Sequence, residues 1–437
     1  MKTYEKGSKK LINAWSFYDW ANSVYSLVIS TAIFPIYYST VTQNLENADG
    51  KIMFLGSEWY STTLLNYTIG FYMLVVAIIS PILSGIADYT GNKLGFLKRF
   101  CLLGSLSVMG LFFFKEETLW LGIVLTITAG IGFWGSIVFY NAYLPEVAHP
   151  EQQDKVSAKG FIFGYVGSVI LLIICLVLIE GNEMFGIDKG LATQLSFILV
   201  GLWWLGFAQI TYRRLPNNIH QRKPEKDYIW KGFKELKNVA KEVANYPQLK
   251  TFLFSFFFFS VSAQTIIYMA GIFGSDELGL PTLNLIVTIL LVQLVAVVGA
   301  YLFSRLSDKI GNLSTLKITL AIWTLVCFIA FFIDKSQENV AIYFYALGGL
   351  LGLVLGAIQS LSRSTYSKLL PETEDTTTYF SFYDVTEKLA IVVGMLVFGL
   401  LIALTGGSMQ WSVLSLGVFF VIAFIILSTI KKTKYVR

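Results

Sequence analysis

Between two long apolar runs lies a short polar segment, Gly85-Ile86-Ala87-Asp88-Tyr89-Thr90-Gly91-Asn92-Lys93. A degenerate copy, Leu306-Ser307-Asp308-Lys309-Ile310-Gly311-Asn312, follows later, and its aspartate stands 220 positions after the first. A second pair, Leu144-Pro145-Glu146 and Leu370-Pro371-Glu372, follows in the same order at a separation of 226. Two echoes in the same order, each at the end of an apolar run, indicate a duplicated membrane unit.

The composition is that of a membrane protein. The chain has 437 residues, of which 55% are hydrophobic and 14% are charged, whereas soluble domains average about 25% charged residues. Its three cysteines, Cys101, Cys175 and Cys327, lie inside apolar runs without the paired spacing of disulfides or a metal site. The first apolar run is too long for a cleavable signal and predicts the first membrane span.

Twelve apolar runs have the length of about 20 residues that a membrane-spanning helix needs. They cover approximately residues 11–38, 60–87, 95–114, 118–143, 158–180, 190–212, 249–273, 281–305, 314–333, 339–366, 379–404 and 409–430. The longest polar linker separates the sixth from the seventh. We therefore predict an all-α membrane protein of two pseudo-symmetric six-helix bundles, residues 1–212 and 249–437, joined by a linker at 213–248.

The distribution of basic residues predicts the orientation. Of the 33 Lys and Arg residues, 28 fall on the side of the termini, four fall in the opposite loops, and Lys388 lies within a span. The positive-inside rule then places both termini in the cytoplasm of a multi-pass protein in the cytoplasmic membrane. The net charge of +5 is explained by anionic lipid at this face, and no nucleic-acid partner is expected.

The linker carries ten of these basic residues together with an apolar stripe. Ile229, Phe233, Leu236, Ala240 and Val243 step by three or four positions. This spacing predicts an amphipathic helix on the inner membrane surface, and a disordered linker is the alternative.

Polar residues inside the first span recur at helical spacing. Asp19, Asn22, Ser23, Ser26 and Ser30 form one polar stripe on an α-helix. Lipid cannot satisfy such a stripe, so it must face other protein or a water-filled cavity. Asp19 either accepts hydrogen bonds between packed helices or takes part in substrate or proton handling.

The eleventh span contains three charged residues within five positions. Asp384 and Lys388 are spaced i and i+4, so they can neutralise each other, and Glu387 remains as an extra acid. This favours Glu387 as the proton carrier. The alternative is that all three side chains reach cytoplasmic water.

Two further spans offer polar side chains for a solute. Arg363 lies one helical turn beyond Gln359, and it either grips a carboxylate or extends to the interface. Gln264 either lines a cavity or bonds to a neighbouring helix. Both histidines are in loops, so a proton relay must use carboxylates.

The opening segment has the composition of a conformational latch. Its glycines permit tight turns, and Asp88 can lie at the N-terminus of a neighbouring helix, where the helix dipole favours an anion. We assign the latch to Gly85, Asp88, Gly91, Lys93, Asp308 and Gly311. A plain turn between spans is the alternative.

Several stretches resemble a known transporter family. Gly85, Asp88, Gly91 and Lys93 resemble the loop signature of the major facilitator superfamily. Residues 18–23, 359–364 and 382–384 resemble the autophagy-related vacuolar amino-acid effluxer family and its bacterial relatives. The resemblance implies two bundles rocking about a central cavity, and amino-acid export by the fungal members. Leu313 stands where a second lysine is expected, so the latch is expected to act mainly on one side.

We therefore predict a proton-coupled secondary transporter of a small polar solute, with amino acids as the leading class. By superfamily analogy, the first, fourth, seventh and tenth spans line the cavity. The substrate and proton pathway then comprises Asp19, Asn22, Ser23, Ser26, Asn141, Gln264, Gln359 and Arg363. Asp384, Glu387 and Lys388 form the coupling cluster.

The remaining expectations concern partners and alternatives. We expect a monomer that needs no cofactor or metal, whose partners are the solute, protons and the bilayer. No phosphate-binding loop is present, which disfavours a nucleotide-driven pump, and an enzyme is not expected. The alternative functions are a non-transporting membrane sensor and a lipid-handling membrane protein.

Overall fold

The computed structural model describes residues 5–48, 50–217, 228–405 and 408–431. Within them the chain forms fifteen α-helices and one antiparallel pair of short strands. The helices are α1 Lys9–Val24, α2 Phe34–Gln43, α3 Ser61–Thr90, α4 Lys93–Gly110, α5 Leu119–Ala142, α6 Leu144–Val147, α7 Gln153–Glu180, α8 Lys189–Tyr212, α9 Tyr228–Asn245, α10 Pro247–Ile272, α11 Thr282–Ile310, α12 Asn312–Phe331, α13 Val340–Leu369, α14 Thr376–Leu404 and α15 Met409–Ser428. The strands are β1 Ile52–Phe54 and β2 Ser57–Trp59.

Twelve helical segments of the described chain are long and apolar enough to cross a bilayer. Each of them overlaps one of the twelve predicted runs, so the predicted number and order of the spans are confirmed. The first span, Lys9–Gln43, consists of α1, a π-helix at Tyr25–Ile33, and α2.

Buried apolar side chains gather into two main clusters. One comes from residues 11–215, and the other, apart from Ala142, from residues 239–430. The hydrophobic core therefore divides at the linker, between the sixth and seventh spans. An even number of spans also brings both ends of the described chain to one end of the molecule, here called the terminal face. The opposite end, which carries β1 and β2, is the far face.

The π-helix breaks the predicted polar stripe of the first span. A π-helix closes its hydrogen bonds over five residues rather than four, so side chains beyond Val24 lose the α-helical phase. Ser23 still faces α7, where a Cβ at Gly164 would meet its hydroxyl. Ser26, by contrast, is exposed, and the prediction of one continuous stripe is wrong beyond Ser23.

The linker helix is present as α9, and its predicted apolar face is correct at Leu236 and Val243, which are partly buried, but wrong at Ala240. Val239 is buried whereas Ala240 is exposed; the side chains of Ile229 and Phe233 lie outside the described structure. The helix packs against α3 of the first bundle and against α10 and α14 of the second. The Tyr379 hydroxyl donates a hydrogen bond of 2.9 Å to Glu242. At the terminal face α9 therefore lies against protein from both bundles.

Candidate functional site

The guanidinium of Arg363, on α13 of the second bundle, lies in a polar pocket of the first. Its Nε donates to Ser157 Oγ at 2.9 Å, and Nη2 donates to the Ser157 carbonyl at 2.9 Å. Nη1 donates to Asn141 Oδ1 at 3.2 Å. Asp19 Oδ2 lies 3.4 Å from Nη1 and 3.3 Å from Nη2. These five contacts equal the number of N–H groups on a guanidinium.

Aromatic rings of the first bundle complete the pocket. The Arg363 Cζ atom lies 4.2 Å from the ring centre of Phe161, 4.8 Å from that of Trp15 and 5.4 Å from that of Tyr140. Cations within about 6 Å of a ring face are attracted to it. We call these neighbours the Arg363 socket; they are Trp15, Asp19, Tyr140, Asn141, Ser157 and Phe161.

The socket tests the two sequence interpretations of Arg363. The side chain is only 3% exposed, so extension to the interface is wrong. The predicted neighbours Asp19, Asn141 and Arg363 do come together. In this conformation, however, the N–H groups are occupied by protein, and none is left for a substrate carboxylate.

A small cavity, open at its mouth, lies on the far-face side of the socket. Gln359, one helical turn from Arg363, is in its wall, and the Tyr165 hydroxyl lies 2.5 Å from Gln359 Oε1. The lining residues all belong to the second bundle; they are Phe256, Phe259, Ser260, Ala263, Gln264, Ile267, Ile358, Gln359, Ser362, Tyr383 and Glu387. The structure therefore places Gln264 and Gln359 at the cavity, but not Asp19 or Asn141.

The three charged residues of α14 form one cluster at the junction of the bundles. The Lys388 ammonium is hydrogen-bonded to Asp384 and lies 3.3 Å from Glu387 Oε2. It also stands 3.7 Å from the ring centre of Trp134 on α5. Asp384 and Lys388 are buried, so the alternative in which all three reach water is wrong.

Glu387 connects this cluster to the cavity. Its Oε1 accepts a hydrogen bond of 2.8 Å from Gln264, which also lines the cavity. Glu387 stands eleven residues into α14, roughly 16 Å along the helix from its first residue. The predicted extra acid is therefore deep in the membrane-spanning part and faces the cavity.

Asn22 has a different environment from the other predicted pathway residues. It is 1% exposed, and within the described chain neither of its side-chain polar atoms has a hydrogen-bond partner. It is not among the residues that line the cavity of the second bundle. The structure thus leaves Asn22, Ser23 and Ser26 apart from the Glu387 cavity.

The predicted latch residues of the first bundle join the start of α14. Asp88 accepts hydrogen bonds from the backbone N–H of Thr377 at 3.2 Å and of Thr378 at 2.6 Å. The Asp88 carboxylate therefore lies at the N-terminus of a helix in the other bundle, as expected from the dipole argument. Lys93 lies 3.7 Å from Asp88 and is paired with Glu146. Gly85 is buried in α3, and Gly91 ends that helix with a φ of 70°.

The second bundle makes a corresponding set of contacts, so the expectation of a one-sided latch is wrong. Asp154, near the start of α7, accepts from Asn312 at 2.7 Å and lies 2.8 Å from the Lys368 ammonium. Asp308 lies 2.7 Å from Lys155, and Gly311 ends α11 with a φ of 87°. Here the acid, Asp154, lies in the first turn of its own helix, α7. Lys368 of α13 supplies the cation that Leu313 cannot.

Sequence reasoning did not identify several residues of these contacts. Tyr140 and Ser157 are uncharged and ordinary in a span, and only the fold brings them to Arg363 and Asp19. Asp154 and Lys368 are charged but stand at span ends, where water-exposed charges are common. Their pairing joins positions far apart in the chain, and no local spacing signals it.

The profile of the family described as "Vacuole effluxer Atg22 like" matches residues 7–436. The chain belongs to this family. An uncharacterized MFS-type transporter, YxiO of Bacillus subtilis (strain 168), is 34% identical over 422 residues, which cover 95% of this chain and 94% of that protein. Autophagy-related protein 22 of Pichia angusta is 25% identical over 418 residues, covering 83% of this chain and 74% of that protein.

Solved structures show the fold of this Atg22-like protein. The proton:xylose symporter XylE has a TM-score of 0.70 at 14% identity, covering 98% of this chain and 96% of that one. FucP in the outward conformation has a TM-score of 0.69 at 13% identity, covering 97% and 98%. The Atg22-like protein is a major facilitator superfamily transporter with the twelve-helix fold of that superfamily.

Proposed function

We propose that this transporter moves a small polar solute, with amino acids as the leading class, by proton-coupled alternating access across the cytoplasmic membrane. The observation that carries the proposal is the Glu387 carboxyl group in the wall of a membrane-embedded cavity. The 28 basic residues on the side of the termini, against four in the opposite loops, support a cytoplasmic terminal face.

The lining of the cavity suits a small molecule with polar groups. Gln264 and Gln359 offer amide donors and acceptors, and Glu387 offers a carboxylate for an ammonium group. Phe256 and Phe259 supply apolar walls. Such a mixture of apolar surface and a few convergent polar groups is typical of small-molecule sites. The amino-acid class rests in addition on the resemblance to the vacuolar effluxer family.

The charge balance of the α14 cluster supports proton coupling. Asp384 and Glu387 are two acids around the single base Lys388, so the fully ionised cluster has one uncompensated negative charge. An uncompensated charge inside a membrane protein is costly. A proton or a cationic group of the solute neutralises it. Because Lys388 also touches Trp134 of the first bundle, this change acts at the junction between the bundles.

The test is uptake of pooled labelled amino acids by proteoliposomes, with and without an imposed pH gradient, against protein-free vesicles. We expect gradient-driven accumulation by the natural protein and its loss in Glu387→Gln, because the amide cannot carry a proton. The matched control is Glu338→Gln, which changes an exposed acid in a far-face loop. Gel filtration and thermal unfolding show whether each variant is folded.

The outcomes separate the parts of the proposal. Undiminished gradient-driven uptake by Glu387→Gln contradicts coupling through this residue. The absence of flux for every amino acid, with folded protein, contradicts the substrate class. Saturable binding of an amino acid without any flux identifies a sensor instead of a transporter.

A further inference from the structure

We propose that the Arg363 socket becomes a binding site for zwitterions when the bundles separate at the terminal face. In that state the socket takes the cationic group of the solute, and Arg363 takes its carboxylate. The inference rests on the proposed function. It assigns the part of the amino-acid pathway between the Glu387 cavity and the terminal face.

The first step concerns what separation removes. The hydrogen bonds that the Arg363 guanidinium makes with described residues all go to α1, α5 and α7 of the first bundle. The three rings beside it also belong to that bundle. Separation of the bundles therefore removes all of these contacts together. It leaves two opposite charges, Arg363 and Asp19, facing the gap between the bundles without a counter-charge, which is unfavourable until water or a ligand replaces the lost contacts.

The second step concerns what remains in the first bundle. The Asp19 carboxylate stays hydrogen-bonded to the Tyr140 hydroxyl at 2.7 Å. The indole N–H of Trp15 donates to the Tyr140 carbonyl at 3.0 Å, and the two rings stack with their centres 4.5 Å apart. The parts of the socket thus hold one another without Arg363. A carboxylate flanked by aromatic rings is a preformed site for an organic cation.

The third step concerns the ligand that replaces the internal ion pair. A guanidinium binds a carboxylate through two parallel hydrogen bonds, and the socket binds an ammonium group. A molecule with both groups satisfies both halves of the opened site. An amine alone leaves Arg363 without a partner, and an acid alone leaves Asp19 without one. Because only the open state offers these contacts, a zwitterion shifts the equilibrium toward opening.

The test measures the opening of the terminal face directly. Spin labels on Glu151→Cys and Glu372→Cys lie at exposed positions in opposite bundles, and the buried native cysteines Cys101, Cys175 and Cys327 are replaced by serine. The probes are L-alanine and L-phenylalanine, each with its amine (ethylamine, phenethylamine) and its acid (propionate, 3-phenylpropanoate). Double electron–electron resonance spectroscopy measures the distribution of distances between the two labels, and from it the fraction of molecules with a lengthened distance.

We expect at least one of the two amino acids to lengthen the label-to-label distance. The concentration that it needs should be at least tenfold lower than the concentration needed of its amine, of its acid, or of the amine and acid mixed. Asp19→Asn/Arg363→Gln should open without ligand and lose this response at least tenfold. Arg363→Lys keeps the charge but not the paired donors, and should weaken the response while the ligand-free distance stays short. Its short distance also reports that the closed fold is intact.

A control variant removes a different ion pair between the bundles. Lys155→Gln breaks the contact with Asp308 at the partly exposed rim. This variant should raise the open fraction without ligand. Ligand-driven opening should still require both an ammonium and a carboxylate group on the same molecule.

Two results overturn the inference. One is that no amino acid opens the natural protein, or that an amine or acid opens it as readily. The other is that Asp19→Asn/Arg363→Gln responds at an unchanged concentration. Opening that requires a zwitterion, without flux in proteoliposomes, would instead contradict only the transport assignment. Flux together with opening by a molecule that has only the ammonium or only the carboxylate group would contradict only this site.

Discussion

Gly160 sets the space available to the Asp19–Arg363 ion pair. A Cβ at this position of α7 would lie 3.0 Å from Arg363 Nη2 and 3.0 Å from the Tyr140 hydroxyl, and it would overlap the Asp19 carboxylate. The ion pair and a side chain at position 160 therefore exclude each other in the closed conformation.

Gly160→Ala should favour opening of the terminal face. Overpacking of this kind costs about 1–3 kcal/mol, which corresponds to a roughly 5- to 150-fold rise in the open-to-closed ratio. The measurement is the label-to-label distance described above. Gly206→Ala is the matched control, because no atom lies within 4 Å of a Cβ built at that glycine of α8. An unchanged distance distribution in Gly160→Ala would contradict the assigned contact.

At this scale the sequence revealed contacts within one helix but not between helices. The Asp384–Lys388 pair was predictable because four positions on a helix bring two side chains to one face, and the structure confirms it. Arg363 meets Asp19 across 344 positions and Ser157 across 206. Which helix faces bring them together depends on the packing of the whole molecule, and the socket could not be predicted.

The spans were predictable as elements because the bilayer requires long apolar helices. Two details were not. The π-helix at Tyr25–Ile33 has no signal in hydropathy, and it shifts the phase of every side chain beyond it. The face of α9 is set by its packing against α3, α10 and α14, so the spacing of its apolar residues predicted Leu236 and Val243 correctly but chose Ala240 where Val239 is buried.

The contact between α11 and α13 depends on small residues. A Cβ at Gly356 would overlap the carbonyl oxygen of Ala296 and lie 2.9 Å from the Ala300 nitrogen. Backbone atoms cannot move aside as a flexible side chain can. Close approach through small residues is a general way of packing helices in membranes.

Gly356→Ala should therefore destabilise the second bundle by about 1–3 kcal/mol. The expected result is a lower midpoint of thermal unfolding in detergent, measured by intrinsic fluorescence. Gly349→Ala on the same helix is the control, since no atom lies within 4 Å of a Cβ there. Equal midpoints for the two variants would show that the backbone separates at little cost.

In the whole molecule, two sets of polar contacts join the bundles at the terminal face, and in both sets the first bundle supplies the carboxylate. In one, Asp88 of α3 accepts from the first turn of α14. In the other, Asp154 in the first turn of α7 accepts from Asn312 and pairs with Lys368. The fold is duplicated, but the two contacts use different donors, because backbone N–H groups bind Asp88 whereas side chains bind Asp154.

Asp88→Asn and Asp154→Asn should each raise the open fraction at the terminal face. Loss of the charge removes the favourable position at the α14 N-terminus in one case, and it leaves Lys368 buried without its carboxylate in the other. Because the two sets share no residue, their effects on the free energy of opening should add within about 0.5 kcal/mol in the double variant. A double variant no more open than either single one would show that the two sets open together as one unit and would contradict their independence.

The arrangement of these contacts also bears on how the membrane holds its voltage. The Asp88 set joins α3 to α14, the Asp154 set joins α7 to α12 and α13, and the Arg363 socket joins α13 to α1, α5 and α7. Each of the three contains buried charges. A small ion crosses the apolar interior of a membrane protein only at a high cost. While these contacts hold the bundles together at the terminal face, the idle protein insulates the bilayer against small ions.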